Sequence, residues 1–196
     1  MPTRMLLPRS RYDEGVEILK GIYEGIAPGD PQDPATLCGP VISDKQRGRV
    51  RGYIHKGIDE GARLVVGGAE APEGLNKGYF VRPTLFADVD NSMTIAQEEI
   101  FGPVLVVIPF EDEDDAVRIA NDSPYGLAGN VMAKTVDHAL AVAKRLRAGF
   151  IGLNGTAGYG ADTPFGGYKA SGVGRQNGVA GFDQYTEVKS VAYPAG

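Results

Sequence analysis

The sequence predicts an α/β fold with a layered, mostly parallel sheet and flanking helices. Segments with helical periodicity alternate with short apolar segments along the chain, which is the pattern of such folds. The apolar run at 104–110 lacks polar alternation and is typical of a strand buried on both faces of a parallel sheet. Glycine accounts for 28 of the 196 residues and concentrates at 155–181, which indicates turns rather than a repeat.

Helical signals recur along the chain. Apolar residues fall at helical spacing through the first two predicted helices. The second begins with Ser43 as its N-cap and Gln46 three residues later, the pattern of a capping box, and Gly61 follows its end. Acidic residues open the fourth, where the helix dipole favours negative charge. The predicted helices cover residues 12–26, 43–60, 94–99, 111–121 and 136–147.

The predicted strands are short segments between these helices. Pro83 lies inside one of them and has no backbone N–H, so we expect that strand at an edge or a bend of the sheet. The last strand is predicted from its alternating pattern. The predicted strands cover residues 3–7, 62–66, 79–86, 104–110, 128–133, 150–154 and 185–193.

The chain has no linker and no break in composition. We therefore predict one domain over residues 1–184 and a C-terminal arm at 185–196. A strand at the end of a chain can pair with the edge of a partner's sheet, so we expect the arm to serve oligomerisation.

Composition narrows the class of protein. Lys and Arg number 20 against 25 Asp and Glu, a net charge of −5 that disfavours nucleic acid and anionic membrane as partners. No apolar run approaches the roughly 20 residues of a membrane helix. Cys38 is the sole cysteine and has no disulfide partner, so we expect a cytoplasmic protein. Two histidines, His55 and His138, and one cysteine are too few ligands for a zinc site, and both histidines are expected at the surface.

Two candidate groups for chemistry follow from residue type. Cys38 has no recognisable base nearby in the sequence, and a structural thiol is the favoured interpretation. Glu98 and Glu99 are adjacent carboxylates. On a helix, neighbouring side chains point about 100° apart, so at most one would face a site. Glu99 leads into the buried strand and is expected at the mouth of the sheet, where α/β folds bind ligands, although two surface charges remain the alternative.

The late glycine-rich region offers a phosphate loop and an aromatic turn to consider. Residues 172–178 come close to a dinucleotide fingerprint, but the last glycine spacing is wrong and no strand–turn–helix frames it, so we reject a phosphate cradle. At 164–172, glycines surround Phe165 and Tyr168. This pattern indicates a tight backbone path whose aromatic rings pack or line a cavity.

Several strings of the sequence resemble one family. Glu-Glu-Ile-Phe-Gly-Pro at 98–103 is similar to a motif of the aldehyde dehydrogenase superfamily. Pro-Phe-Gly-Gly-Tyr-Lys at 164–169, with Ser171-Gly172 and Gly174-Arg175 after it, resembles a late motif of the same family. The resemblance extends from Thr3 to about Val191. Further matching strings follow the family order at 79–84, 120–127 and 185–189.

The resemblance implies oxidation of an aldehyde to a carboxylic acid, with NAD or NADP as hydride acceptor. It implies that Glu99 holds the nicotinamide-ribose hydroxyls and that Phe101 packs near that ribose. Gln46 would approach the cofactor, although the capping box explains this residue equally well.

The resemblance also assigns roles outside the cofactor site. It implies that Phe165 and Tyr159 line the aldehyde channel. It further implies that Arg175 and Glu187 form a structural ion pair near a subunit interface. Residues 1–184 would then be a portion of the catalytic domain.

The family's catalytic residues have no match in this sequence. In the family, the nucleophilic cysteine precedes the Thr-Arg pair that appears here as Thr3-Arg4, and Cys38 does not match it. The general-base glutamate, the oxyanion asparagine and the nucleotide-binding domain come earlier still. We therefore assign no catalytic residue, expect an inactive isolated chain that binds no cofactor tightly, and expect a homo-oligomer or assembly with an N-terminal portion. The alternative is a non-catalytic subunit that pairs with an N-terminal half or a full-length relative.

Overall fold

The computed structural model describes residues 3–75, 77–155, 158, 160–194 and 196. Its contacts divide the chain into two compact units, the first spanning Pro2–Asp122 and the second Ser123–Gly196. Both contain helices and strands, and parallel strand pairs occur in each. The predicted α/β class, with a mostly parallel sheet and flanking helices, is confirmed.

The first unit is built on a mixed sheet. Its strands are ordered β1-β4-β3-β2, with β4 parallel to both β1 and β3, and β2 antiparallel to β3. A short 3-10 turn follows β1. The elements are β1 (Arg4–Pro8), α1 (Tyr12–Glu24), α2 (Asp44–Asp59), β2 (Arg63–Val66), β3 (Thr84–Ala87), α3 (Thr94–Gln97), β4 (Val104–Phe110) and α4 (Glu113–Asn121).

The core lies on both faces of this sheet. Alternate residues of β4 enter two separate apolar clusters, as shown by Val106 in one and Val107 in the other. The first cluster receives Ile54 of α2, and the second receives Val16 of α1. Because helices cover both faces, the continuous apolar run of β4 is buried as predicted.

The strand predicted at 79–86 is shorter and lies elsewhere in the sheet. It begins only after Pro83, at Thr84, and β3 pairs with β4 on one side and β2 on the other. The prediction of an edge or bend was therefore wrong. Pro83 needs no ladder donor because it precedes the strand, and Thr84 N makes the first bond, to Pro103 O at 2.8 Å.

Glu60 links the end of α2 to the start of α3. Its carboxylate accepts hydrogen bonds from Thr94 Oγ1 at 2.6 Å and from Thr94 N at 2.8 Å. The hydrogen bond from the Thr94 hydroxyl is the main cause that lowers the pKa of Glu60. The carboxylate thus stabilises the N-terminus of the short helix that leads into residues 98–103.

We expect Glu60→Gln to lower the free energy of unfolding by about 1 kcal/mol near neutral pH. A carboxylate whose pKa is lowered by folding stabilises fully above its unfolded pKa, and this contribution is lost as the pH falls through the folded value. The difference between wild type and Glu60→Gln should therefore shrink as the pH falls below the ordinary pKa of a glutamate. Urea unfolding curves across this range measure it, and a difference independent of pH would contradict the assignment.

The described residues of the second unit form two short sheets and two helices. Strands β6 and β7 pair in parallel, and β5 and β8 pair antiparallel. Thr135 caps α5 by accepting a hydrogen bond from His138 N. The elements are β5 (Tyr125–Gly126), β6 (Ala128–Val131), α5 (Val136–Ala143), β7 (Phe150–Leu153), β8 (Tyr168–Lys169) and α6 (Gly178–Asp183).

The C-terminal arm does not form the predicted strand within this chain. Residues 186–194 carry no regular secondary structure, and Val188 is 99% exposed. A strand is made by pairing with a neighbouring strand, and none of the described strands of this chain pairs with the arm. Pairing with a partner's sheet stays a prediction. None of the described helices combines the length and apolar character needed to cross a membrane.

Candidate cofactor-binding site

The 98–103 loop connects α3 to the amino end of β4. This placement differs from the expectation for Glu99. In α/β sheets the common ligand crevice lies beyond the carboxyl ends of the parallel strands, whereas Glu99 precedes the strand that it leads into. The general rule for open sheets therefore gives no support to a site here, and the loop has to be judged on its own geometry.

Glu98 and Glu99 do not lie on a helix as predicted. Helix α3 ends at Gln97, and Glu98 has extended backbone angles (φ −113°, ψ 152°), so the pair is not helical. Extended backbone directs successive side chains to opposite sides. The Glu98 carboxylate accepts a hydrogen bond from Tyr53 OH, whereas Glu99 is exposed and its side chain makes none of the described hydrogen bonds.

Phe101 occupies an unusual position in this loop. Its φ is +55°, in the left-handed region, and its side chain is 73% exposed. Such a conformation costs a bulky residue on the order of 1–3 kcal/mol and persists only where the surroundings enforce it. A strained backbone that presents an aromatic ring to solvent, two residues after an exposed carboxylate, is a candidate ligand site.

Helix α2 supplies the contacts that hold the loop. Gln46 Nε2 donates hydrogen bonds to Ile100 O and Phe101 O, both at 3.0 Å. Ser43 Oγ accepts from Gln46 N at 3.2 Å, which confirms Ser43 as the N-cap. The described bonds of the Gln46 amide thus go to the loop rather than back to Ser43, so only half of the capping box is made.

The tip of the loop lies directly against α2. A Cβ atom at Gly102 would approach Val50 Cγ2 to 2.6 Å, and Val50 is fully buried. Arg49 Nη2 donates to Glu99 O at 2.7 Å. Sequence reasoning missed Arg49. Its signal was the spacing of three residues from Gln46, which places both on one face of a helix.

The structure therefore brings three predicted residues together. All three belong to the first unit. Glu99 and Phe101 lie in the 98–103 loop, whose carbonyl groups are bound by Gln46 and Arg49 of α2. Two carboxylate oxygens at an exposed position can accept hydrogen bonds from two adjacent hydroxyl groups. Among the described residues, no group of three or more His, Cys, Asp or Glu is arranged to hold a metal ion.

The predicted channel residues belong to the second unit. Phe165 exchanges two backbone hydrogen bonds with Gln176, at 2.8 and 2.7 Å. A Cβ at Gly149 would overlap the carbonyl of Gly166, and one at Gly126 would overlap Arg147 O. These close approaches of backbone to backbone bear out the predicted tight path at 164–172. Tyr159 lies outside the described residues, and the channel roles stay predictions.

Arg175 is bound differently from the prediction. Its Nη1 donates to Gly174 O at 2.6 Å and Gly167 O at 3.0 Å, and its guanidinium lies 5.3 Å from the centre of the Tyr168 ring. None of the described ion pairs joins it to Glu187. The guanidinium is drawn instead to carbonyl groups of the tight glycine-rich turn. A pair with Glu187 near a subunit interface stays a prediction.

Cys38 lies in a setting that suits a structural thiol. It is half-buried, and burial raises the pKa of the Cys38 thiol. Its backbone forms an isolated bridge with Pro28, and Gly29 N donates to Cys38 O at 3.0 Å. A nucleophilic cysteine needs the opposite shift, since the thiolate is the reactive form.

We expect iodoacetamide to alkylate Cys38 roughly tenfold more slowly than a free thiol near neutral pH, because little thiolate is present. The rate should rise steeply as the solution becomes more alkaline. Intact-mass measurement over time gives the rate, with glutathione as the reference thiol. Alkylation faster than that of glutathione would show an activated cysteine and overturn the structural interpretation.

The chain as a whole is similar to one family of known proteins. The model of the aldehyde dehydrogenase family matches residues 1–191. A relative from Staphylococcus haemolyticus, also an aldehyde dehydrogenase by name, is 51% identical over 190 residues. That alignment covers 97% of this chain and 40% of the relative, so the chain spans about two fifths of the length of this curated relative.

Solved structures show the same similarity. The Mycobacterium tuberculosis aldehyde dehydrogenase complexed with NAD+ is 55% identical with a TM-score of 0.93, covering 98% of this chain and 39% of that one. A cysteine-to-alanine mutant of aldehyde dehydrogenase C from Pseudomonas syringae, complexed with NAD+ and octanal, is 45% identical with a TM-score of 0.94, covering 100% and 40%. The NAD+ complex of aldehyde dehydrogenase from Bacillus cereus is 43% identical with a TM-score of 0.90, covering 96% and 38%.

Proposed function

Because the chain belongs to the aldehyde dehydrogenase family, we propose that it supplies the ribose-binding loop of an enzyme that oxidises an aldehyde to a carboxylic acid with NAD or NADP. The observation that carries this proposal is the exposed Glu99 carboxylate on a loop held by α2. The cofactor, when bound, accepts the hydride that the aldehyde loses.

The residues of the loop fit a nicotinamide ribose. The two oxygens of Glu99 match the two adjacent ribose hydroxyls as acceptors, and a charged acceptor strengthens both bonds. The exposed ring of Phe101 provides an apolar surface beside them. Gln46 acts on the cofactor through the loop, since its amide binds two loop carbonyls.

The substrate proposal is an aldehyde of unspecified chain. It is supported by the family and by the octanal complex of the Pseudomonas syringae relative. We assign the channel roles to Phe165 and Tyr159 on the resemblance of their motif. With a single cysteine in the sequence, the cytoplasm is the proposed compartment.

The proposed enzyme needs groups beyond those of residues 1–196. The raised pKa of Cys38 disfavours it as the nucleophile, so covalent capture of the aldehyde falls to a cysteine elsewhere. We expect the native protein to reduce NAD+ in the presence of octanal, and the 196-residue chain alone to show no steady turnover. Absorbance of the reduced cofactor measures both. Steady turnover by the 196-residue chain alone would contradict the proposal.

The alternative proposal is a non-catalytic assembly subunit. It is favoured by the arm at 185–196, in which Val188 and Tyr193 are exposed to solvent. The arm would add to a sheet edge of a second copy, an N-terminal portion or a full-length relative. Co-purification with a dehydrogenase that lacks turnover without this chain would support an assembly role. Recovery as a free monomer by sedimentation would contradict it.

A further inference from the structure

We propose that Tyr53 is a positioning residue that fixes the 98–103 loop through Glu98 and Arg49, and so sets where Glu99 meets the cofactor. The brace, which is the set of bonds that Tyr53 and Arg49 make to each other and to Glu98 and Glu99, consists of contacts within this chain. Its consequence for the cofactor rests on the proposed function.

Tyr53 joins the core to the loop. Its ring packs against the apolar cluster beneath α2, and its hydroxyl donates to Glu98 Oε2 at 2.6 Å. The ring is therefore held by packing against the core, whereas the hydroxyl reaches Glu98, the residue that follows α3. A side chain fixed at its base can hold a flexible carboxylate at small entropic cost.

Arg49 ties the same hydroxyl to the next residue of the loop. Its Nη2 donates to Tyr53 OH at 2.9 Å and to Glu99 O at 2.7 Å, and its guanidinium lies 4.9 Å from the centre of the Tyr53 ring. The hydroxyl thus accepts from a cation and donates to an anion. Such charge-assisted bonds strengthen one another along a chain.

The brace explains how the loop keeps its costly conformation. Gln46 holds the carbonyls of Ile100 and Phe101, and the Tyr53 network holds Glu98 and the carbonyl of Glu99. The backbone is then fixed on both sides of the Glu99 side chain. The side chain itself carries none of these bonds and stays available for a ligand.

The test uses Tyr53→Phe, which keeps the half-buried ring and removes the hydroxyl. Backbone NMR order parameters at residues 99–102, measured without cofactor, should fall from about 0.85 to below about 0.7. Tyr79→Phe is the matched control. The guanidinium of Arg47, also on α2, lies over the ring of Tyr79, but the Tyr79 hydroxyl makes none of the described hydrogen bonds. This control should leave the order parameters unchanged.

Glu98 variants separate the brace from general loosening. Glu98→Gln retains an acceptor for the Tyr53 hydroxyl and should keep the loop near its wild-type order parameters. Glu98→Ala should loosen it by removing the bond between the Tyr53 hydroxyl and the carboxylate. Tyr53→Phe should loosen it further, because it also removes the bond from Arg49 Nη2. The double variant should fall short of the sum of the two single changes, because both remove the bond between Tyr53 and Glu98.

Cofactor titration completes the test. In the native protein, Tyr53→Phe should raise the dissociation constant for NAD+ roughly threefold, with Tyr79→Phe unchanged. Order parameters unaltered by Tyr53→Phe would refute the brace whatever NAD+ does. A loosened loop with unaltered NAD+ affinity, while Glu99→Gln does weaken binding, would refute the positioning role. Unaltered affinity in Glu99→Gln as well would refute the proposed function itself.

Discussion

Replacing Arg4 with Met is expected to lower the free energy of unfolding of the first unit by about 3 kcal/mol, because it leaves several buried acceptors without a donor. Arg4 opens β1, and its guanidinium reaches the C-terminal end of α4. There it donates to Ile119 O at 3.1 Å and Ala120 O at 3.0 Å. A cation at a helix C-terminus also interacts favourably with the helix dipole.

The Arg4 site is a network rather than a single bond. Nη1 also donates to Asn91 Oδ1 at 2.6 Å, and Asn91 Nδ2 donates to Asp122 Oδ2 at 2.9 Å. Burial is the main cause that lowers the pKa of Arg4, and Asp122 opposes this shift. A methionine fills the space of the Arg4 stem but satisfies none of these acceptors.

Equilibrium unfolding in urea measures the Arg4 effect. Arg11→Met is the matched control, since Arg11 is exposed and pairs with Glu14 three residues later. Exposed pairs of this kind contribute little to stability, because solvent screens them. Equal losses in Arg4→Met and Arg11→Met would contradict the role assigned to the buried network.

Gly149→Ala is expected to lower the free energy of unfolding of the second unit by about 3 kcal/mol. A Cβ atom there would overlap the carbonyl carbon and oxygen of Gly166, and neither belongs to a side chain that could swing aside. Gly149 N is also bonded to Gly126 O at 3.0 Å, so the residue cannot retreat without breaking that bond. The glycine-rich turn at 164–169 would be displaced from β7.

The control for Gly149 is Gly158→Ala. Of the residues that the structure describes, none places a heavy atom within 4 Å of a Cβ built at Gly158, so this change should leave the second unit's stability within about 0.5 kcal/mol of wild type. Urea unfolding followed by circular dichroism compares the two. A loss for Gly149→Ala no larger than that for Gly158→Ala would contradict the close packing of the turn.

Local sequence signals predicted the elements whose stability is local. Ser43 was identified as an N-cap from residue type alone, and the structure confirms the bond that it accepts. The buried strand β4 was predicted from its continuous apolar run. In both cases the signal lies within a few consecutive residues.

Predictions failed where distant groups decide the outcome. Pro83 marks the start of β3 rather than a flaw within it, and only the pairing with β4 reveals this. Gln46 fits a capping box in sequence, yet its amide binds a loop more than 50 residues away. The arm at 185–196 has a strand pattern, but none of the described strands of this chain pairs with it, and pairing with a partner stays a prediction.

The candidate site was reached by motif rather than by physical pattern. Residue type identified Glu99 as a charge near a sheet, but only the resemblance supplied a ribose for it to hold. The left-handed backbone at Phe101 has no signature in the sequence, and the contacts of Arg49 were indicated only by its spacing from Gln46. They arise from packing between α2 and the loop.

The most direct test of the proposed function is the affinity of the native protein for NAD+ with and without the Glu99 carboxylate. Glu99→Gln keeps the shape of the side chain and removes its charge and one acceptor oxygen. We expect the dissociation constant for NAD+ to rise roughly tenfold, which corresponds to about 1.4 kcal/mol of lost binding free energy. An unaltered dissociation constant would contradict the claim that this loop holds the cofactor.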